Sequence, residues 1–232
     1  MIGQIFSWLT DRAHWHGPDG VPAHLLEHLG YSVVAVIVAV AIALPLGLYV
    51  GHTGRGTFLI AGLANALRAL PTLGLLILLV ILLAPHISSD LVYLLPSEAV
   101  LALLAVPPVL TNTYAGVQNV PRAAREAAVG MGMTGGQVLR RVEVPCATPL
   151  IVSGVRSATL QCIATATVAA YVSLGGLGRY VVDGLAQQDY PQMASGAVLV
   201  AVLAVLADAV LALVQFAVVS PGVSGRRSRR AL

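Results

Sequence analysis

The segment Gly51-His52-Thr53-Gly54-Arg55-Gly56-Thr57 comes nearest to a phosphate-binding loop in this chain. Such a loop needs a glycine, four residues, a second glycine, then lysine and serine or threonine, because backbone N–H groups and the lysine together hold the phosphates. Here Thr57 follows Gly56 directly, and the chain contains no lysine. We therefore interpret the segment as a turn between helices and expect that this chain does not hydrolyse ATP itself.

His24 and His28 are four residues apart, a spacing that can put two metal ligands on one helix face. The sequence offers no evident third ligand, so we interpret both as ordinary polar surface and expect no metal and no cofactor. No convergent acid and base residues are evident either. The chain therefore has no predicted catalytic residues, and a membrane enzyme is disfavoured.

The longest polar stretch between apolar regions is 116–145. Its pattern predicts a short helix ending at glycines, a turn, a second short helix, and a proline before the next apolar region. Ala127 and Ala128 are small enough to let another surface approach the backbone, and Gly130 and Gly132 permit a chain reversal. Such a helix–turn–helix is suited to fill a groove on a partner.

The spacing inside this stretch is specific. Glu126-Ala127-Ala128 is followed after three residues by Gly132, and after nine more by Val142, Val144 and Pro145. This pattern resembles the EAA signature of bacterial ABC importer permeases, and an ordinary basic loop does not predict it. The resemblance implies an all-α transmembrane bundle of the type I importer permease fold, with a coupling helix that contacts a separate ATPase. The coupling residues it implies are Arg125, Glu126, Ala127, Ala128, Gly130, Met131, Gly132, Thr134 and Pro145.

Further segments resemble the branch of these permeases that imports quaternary-ammonium osmolytes. That branch handles glycine betaine, choline, carnitine and proline betaine, which implies osmoprotection as the role. Other small solutes such as amino acids, and an ATP-independent transporter, remain the alternatives. The resembling segments are Leu70-Pro71-Thr72-Leu73-Gly74, Thr111-Asn112-Thr113-Tyr114-Ala115-Gly116, Gly154-Val155-Arg156, Thr165-Ala166-Thr167 and Gly175-Gly176-Leu177-Gly178.

Several polar or helix-breaking residues lie within or beside apolar regions. A charge at the centre of a bilayer is costly, so Arg68 marks either a helix break at the pathway or the end of a short helix near the surface. Threonine hydroxyls can line a pathway or bond only to their own helix. The candidate pathway residues are Arg68, Pro71, Asn112, Tyr114, Thr165 and Thr167. Gly175, Gly176 and Gly178 form either an outer gate or receptor contact, or a plain connector.

The composition indicates which solvent surrounds these elements. Of the 232 residues, 57% are hydrophobic and 10% charged, and the mean hydropathy is +0.86. Soluble domains carry about 25% charged residues. A chain this apolar is expected to lie in a bilayer, and its arginines are expected to flank the membrane rather than bind nucleic acid.

Five regions are apolar enough to span a membrane, or six if the second forms two segments around Arg68 and Pro71. The third carries the helix-disturbing pair Pro107-Pro108. We predict an interfacial segment at 1–30, a permease domain at 31–219 with a coupling loop at 116–146, and a basic tail at 220–232. The five regions are Tyr31–Gly51, Thr57–Ala84, Glu98–Ala115, Ala147–Val172 and Met193–Val219.

The arginines predict an orientation. With five spans, one side holds nine of the thirteen arginines, including Arg140, Arg141 and four in the tail, and the other side holds Arg12 and Arg179. The positive-inside rule then puts the C-terminus in the cytoplasm of a multi-pass protein of the bacterial inner membrane. A six-span arrangement would put residues 1–30 inside as well.

The resemblance also implies partners. They are two copies of an ATP-binding subunit, a second permease that is identical or related, and an extracytoplasmic substrate-binding protein. The chain is 5% aromatic and shows no aromatic cluster of the kind that grips quaternary ammonium groups. We therefore expect high-affinity selection to belong to the binding protein.

Overall fold

The structure is a computed structural model that describes residues 2–87 and 91–219. Within these ranges every regular element is helical, in agreement with the predicted all-α fold. The helices are α1 Ile2–Thr10, α2 Val21–Thr53, α3 Thr57–Ala69, α4 Thr72–Leu83, α5 Leu91–Gln118, α6 Arg122–Gly130, α7 Gly135–Val138, α8 Val144–Ala169, α9 Gly178–Ala186 and α10 Tyr190–Val218. Short 3₁₀ turns lie at Arg12–Trp15, Ala84–His86 and Ala170–Val172. The basic tail lies outside the described residues.

The second apolar region is broken as the sequence suggested. α3 and α4 meet at an angle of 90° across Leu70 and Pro71. Pro71 precedes the first turn of α4 with φ −69° and ψ 112°, an extended conformation. A residue before proline is disfavoured in the helical region, so α3 ends just ahead of this position. Arg68 lies in the last turn of α3, at the end of a short helix and directly before the break, a position that fits both alternatives.

The pair Pro107-Pro108 does not disturb its helix, and the expectation that it would is wrong. α5 runs unbroken from Leu91 to Gln118. The Thr111 hydroxyl donates to the carbonyl oxygen of Pro107 (2.8 Å), and the Asn112 amide donates to that of Pro108 (2.8 Å). These bonds go to the carbonyls of the prolines themselves, whereas the missing proline N–H groups would have bonded the carbonyls four residues earlier, at Leu103 and Leu104.

The second short helix of the 116–145 stretch is not separated from the following span. α7 continues through a π-helical turn, Leu139–Glu143, directly into α8. Pro145, the second residue of α8, therefore lies within a continuous run of helical turns and not at a free helix end. Pro145 precedes the predicted apolar region at Ala147 as expected, but no break separates the second short helix from the span.

The chain divides into two compact units. The first contains the residues up to Val38, together with Ala69–Ala105 and Thr159–Asp208. One of its cores joins Trp8, Val21, Ile163 and Tyr180, and so α1 packs into this unit through a buried tryptophan. A second core joins residues of α4, α5, α8 and the turn before α9: Leu76, Val100, Leu104, Ala169 and Leu174.

Among the described residues, the other unit contains Ala39–Arg68, Val106–Ala158 and 209–219. Its helices approach closely at glycines. A Cβ on Gly51 would lie 2.6 Å from Cβ of Val117, and a Cβ on Gly154 would lie 2.9 Å from the carbonyl oxygen of Pro108. Small residues of this kind let helix backbones pack closely in membranes. They hold α2, α5 and α8 together in this unit.

Within residues 2–87 and 91–219, α2, α5 and α10 are long and apolar enough to span a membrane. The bent pair of α3 and α4 also qualifies if it is counted as one span. α8 has 26 residues, enough to span about 39 Å at 1.5 Å per residue, but is less apolar. Each predicted region thus corresponds to one helix or to the bent pair. α2 begins at Val21, earlier than the apolar run.

Candidate functional site

A buried carboxylate organises the predicted coupling region. Glu143 is 1% exposed and lies in the π-helical turn ahead of α8. Its Oε2 accepts a hydrogen bond from Nδ1 of His52 at 2.6 Å, and its Oε1 lies 3.0 Å from Nε of Arg125. The contact with Arg125 is an ion pair without hydrogen-bond alignment. Because a buried charge is costly unless paired, these partners make the carboxylate tolerable there.

Arg125 connects this carboxylate to α6. Its Nη2 donates to the carbonyl oxygen of Val117, near the end of α5. Ala128, one helical turn further on, is 1% exposed. The inner side of α6 is therefore held by Arg125 and Ala128. These two predicted coupling residues face their own chain, whereas the sequence suggested that Ala128 would leave room for a partner.

The outer side of α6 is open. Arg122 and Glu126 form an ion pair of 2.6 Å, with side chains 91% and 63% exposed. Ala127 and Gly130 are exposed, and Val129 and Met131 are large apolar residues exposed by 61% and 71%. An exposed apolar surface beside charged residues is typical of a protein contact.

The turn after α6 is a glycine-terminated helix end. Gly132 has φ +82°, the left-handed region that favours glycine. Met133 N–H donates to the carbonyl oxygen of Ala128 (3.1 Å) and Gly132 N–H to that of Val129 (2.9 Å), the two bonds of a Schellman motif. Thr134 then precedes α7, and its N–H donates to Oε1 of Gln137 (2.8 Å). The chain reversal predicted at the glycines is confirmed, and Gly132 is the residue whose conformation requires it.

A polar cavity of about 500 Å³ lies beside this turn. Thr134, Gly136, Gln137, Leu139, Arg140 and Arg141 line it. Both arginines are exposed and bring positive charge to the same surface region as Thr134. The sequence marked them only as orientation signals.

The candidate pathway residues divide between the two units. In the unit that holds the coupling region, Nη2 of Arg68 lies 3.4 Å from Oγ1 of Thr111, Asn112 bonds to its own helix, and Tyr114 is half-buried. Pro71, Thr165 and Thr167 belong to the other unit. The two threonine hydroxyls donate to carbonyl oxygens of α8, at Gln161 and Ala164. These hydroxyls thus form hydrogen bonds to the backbone of their own helix, as in the second of the two alternatives considered for threonine.

The predicted gate glycines are tied to α2. Oε2 of Glu27 accepts a hydrogen bond from the N–H of Gly176 (2.8 Å), whose φ is +87°. A Cβ on Gly175 would lie 2.2 Å from Oε2 of Glu27, and one on Gly178 would lie 2.5 Å from the carbonyl oxygen of Thr167. The loop is therefore packed against α2 and α8. A side chain at Gly178 would meet backbone atoms of Thr167, whereas one at Gly175 would have to displace the end of the Glu27 side chain.

The two histidines of α2 do not share a metal site. Nδ1 of His24 pairs with Oε2 of Glu27 (3.0 Å), and Nε2 of His28 lies 3.0 Å from the carbonyl oxygen of Ile163. His28 is fully buried, so its interpretation as polar surface is wrong. Within residues 2–87 and 91–219 no group of three potential metal ligands occurs.

Tyr180 fastens the N-terminal segment to α9. Its hydroxyl donates to the carbonyl oxygen of Asp19 (2.8 Å), and its ring packs edge-on against Trp8 and His24. Burial, together with the carboxylates of Asp19 and Glu27, raises the pKa of Tyr180 to about 12. The phenol therefore keeps its proton and this hydrogen bond at neutral pH.

The family model of the binding-protein-dependent transport system inner membrane component matches residues 43–225. The chain belongs to this family. It is the permease subunit of an ABC importer and a multi-pass membrane protein, and the coupling region described above lies within the matched residues.

Curated relatives of this permease come from several bacteria. It is 35% identical over 201 residues to the glycine betaine/carnitine/choline transport system permease protein OpuCB of Bacillus subtilis, covering 87% of this chain and 89% of that one. It is 36% identical to the choline transport system permease protein OpuBB of Bacillus subtilis, covering 82% and 84%. The osmoprotectant import permease protein OsmW of Salmonella typhimurium is 32% identical, covering 85% and 91%.

Solved structures of importers share the permease fold. A chain of the MetNI methionine ABC transporter in inward-facing conformations superposes with a TM-score of 0.71 at 22% identity, covering 86% of this chain and 96% of that one. A chain of an amino acid ABC transporter crystallised with histidines superposes with a TM-score of 0.68 at 18% identity, covering 84% and 92%.

Four residues of this permease that organise the sites were not singled out as site residues from the sequence. They are Glu27, His28, His52 and Glu143, which are paired across separations of 91 to 149 positions. Only Glu143 carried a local signal, an acidic residue between the valines of the EAA pattern. The other three stand in ordinary helical context and become recognisable only through their partners.

Proposed function

We propose that this permease, with a second permease of the same or a related sequence, forms the pathway for a small quaternary-ammonium osmolyte. The candidate substrates are glycine betaine, choline, carnitine and proline betaine. The proposal is supported by relatives at 31–36% identity whose names give glycine betaine, carnitine or choline as the transported compound. The likeness to methionine and amino acid importers lies below 25% identity and indicates fold alone.

The coupling surface carries the mechanistic part of the proposal. α6 presents Glu126, Ala127 and Met131 outward, while Arg125 ties its inner side to the buried Glu143. A rigidly held helix with an exposed outer face can transmit a push from a partner, because its backbone cannot yield separately from α2 and α8. Two ATPase subunits are expected to bind here, one on each permease, from the cytoplasm.

In this proposal transport proceeds by alternating access, and its direction is set by the side on which the substrate-binding protein delivers the ligand. ATP-driven closure of the ATPase pair would act on α6 and the turn at Gly132, and the substrate-binding protein would deliver ligand on the opposite side. This orientation puts Arg122, Arg140 and Arg141 in the cytoplasm, as the positive-inside rule favours. It also puts the C-terminus there.

Uptake tests the substrate class. Labelled glycine betaine, choline and carnitine should enter cells at high osmolarity when this permease is present and not after its deletion. Uptake of methionine or another amino acid in place of all three would support the alternative substrate class. Transport that persists without any ATP-binding subunit would contradict the coupling proposal.

ATPase measurements test the division of labour. Substrate-stimulated ATP hydrolysis by the reconstituted complex should require the binding protein, because selection is assigned to that component. Stimulation that survives its removal would contradict this assignment.

A further inference from the structure

A cavity of about 640 Å³ lies in the unit that contains Glu27 and the gate glycines. Most of its lining is aliphatic or small, from α2 and α5, with three polar side chains: Glu27, Tyr31 and Glu98. Its size is within the range of about 300–1,000 Å³ found for small-molecule sites. Val34 and Val38 line it and are 50% and 42% exposed, so the cavity is reachable from outside the unit.

The two carboxylates of this cavity differ in their bonding. Oε2 of Glu27 is occupied by the N–H of Gly176 and by His24. Oε2 of Glu98 is buried and has no hydrogen-bond partner among the described residues. A carboxylate held away from water needs a compensating positive charge or donor. Glu98 is therefore the group in this cavity that still lacks one.

Tyr31 supplies an aromatic ring in the same place. Tyr31 is half-buried and lines the same cavity as Glu27 and Glu98. An aromatic face attracts a cation within about 6 Å, and recognition of quaternary ammonium groups is a common use of this contact. The sequence shows no aromatic cluster, but one ring beside a carboxylate combines the same two attractions.

We propose that this cavity binds the quaternary ammonium head group of the transported osmolyte, with Glu98 as counter-charge and Tyr31 as aromatic contact. The inference rests on the proposed substrate class. The aliphatic walls distinguish the ligand from other cations. A metal ion needs several oxygen ligands and a primary ammonium needs acceptors for three N–H donors, whereas a quaternary ammonium has no donors and is covered by methyl groups.

The chemistry separates two substrates. Choline carries a net positive charge, whereas glycine betaine carries its own carboxylate. Loss of the Glu98 charge should therefore weaken the binding of choline more than the binding of glycine betaine. Glu27 lines the cavity and also accepts a hydrogen bond from the N–H of Gly176, one of the predicted gate glycines. A ligand in the cavity would therefore lie next to a residue that contacts the predicted gate.

The binding test uses labelled tetramethylammonium and the purified permease–ATPase complex. Glu98→Gln should weaken binding about tenfold, a typical size for loss of one member of a charge pair. Asp183→Asn removes a carboxylate outside the cavity and should leave binding unchanged. Equal binding by wild type and Glu98→Gln, or no binding by wild type, would overturn the proposal. Displacement of the probe by detergent or lipid with no effect of Glu98→Gln would instead identify an apolar occupant and overturn it as well.

Two further variant pairs do not depend on how well Glu98→Gln folds. Tyr31→Phe should keep tetramethylammonium binding and Tyr31→Leu should lose it, because only the ring is required. A Cβ on Gly30 meets nothing within 4 Å, so Gly30→Leu can fill the cavity without a clash, and Gly62→Leu is the matched helical glycine outside the cavity. Only Gly30→Leu should abolish binding, and equal effects within either pair would refute the assignment.

Uptake assays then separate this inference from the proposed function. Glu98→Gln should lower choline uptake at saturating substrate by about tenfold more than glycine betaine uptake. Uptake of both by wild type with no selective effect of the variant contradicts the cavity alone. Absence of quaternary-ammonium uptake by wild type contradicts the proposed substrate class. In that case the tetramethylammonium binding test alone decides whether the cavity proposal is correct.

Discussion

Nδ1 of His52, near the end of α2, lies 2.6 Å from Oε2 of Glu143, in the turn that leads into α8. Arg125 reaches the other oxygen of the same carboxylate from α6. One buried carboxylate therefore joins three helical segments directly behind the surface proposed to receive the ATPase. A displacement of α6 has to be passed on to α2 and α8 or has to break this network.

Glu143→Gln removes the charge and keeps the shape of the side chain. We expect a loss of stability of about 1–3 kcal/mol, because the change leaves the partly buried Arg125 and His52 without their charged partner. The melting temperature of the purified permease should fall, and less ATPase should co-purify. His52→Ala should act in the same direction but more weakly, since that side chain is 27% exposed. An unchanged melting temperature for Glu143→Gln would show that the network is not structural.

Glu126→Gln tests docking separately from folding. Its pair with Arg122 is exposed and separated by four residues, and such pairs contribute about 0.5 kcal/mol or less. The melting temperature should therefore stay near wild type, while co-purification of the ATPase should fall. Arg122→Gln is the matched control for loss of the ion pair itself. If the Glu126→Gln variant co-purified with as much ATPase as wild type, Glu126 would not be part of the coupling surface.

Gly132→Ala and Gly130→Ala form a matched pair in the turn after α6. A Cβ meets nothing within 4 Å at either position, but only Gly132 has a positive φ. Gly132→Ala should cost about 1 kcal/mol and reduce ATPase retention, because alanine disfavours the left-handed region. Gly130→Ala lies at the end of α6 and should be neutral or stabilising by up to about 1 kcal/mol. Equal effects of the two changes on stability would mean that the turn conformation is not what requires glycine.

Gly178→Ala tests the packing of the predicted gate loop. Its Cβ would lie 2.5 Å from the carbonyl oxygen of Thr167, a backbone atom that cannot move aside cheaply. We expect a loss of about 1–3 kcal/mol, the usual cost of overpacking, seen as a lower melting temperature or yield. Gly62→Ala has open space inside α3 and should be neutral or stabilising by up to about 1 kcal/mol. A wild-type melting temperature for Gly178→Ala would indicate that the loop can shift.

Local pattern determined most of the architecture from the sequence. Apolar runs predicted the helices, Pro71 predicted the break between α3 and α4, and the EAA spacing predicted the reversal at Gly132 and the family. These features depend on neighbouring residues, because helix formation, proline geometry and glycine turns act over a few positions. Pro107 and Pro108 show the limit, since α5 stays continuous through a pair that proline propensity alone would interrupt.

Only the tertiary structure decided which charges meet and which faces are buried. Glu143 is hydrogen-bonded to His52, 91 positions away in the sequence, and Glu27 to the backbone of Gly176, 149 positions away. The same packing turned Ala128 inward and left Glu126 exposed on the outer side of the same helix. Burial and pairing depend on the distances that helix packing creates, and a linear pattern contains no such distances. The sequence alone therefore determined the protein family and the helical architecture, whereas the tertiary structure determined which residues connect the helices.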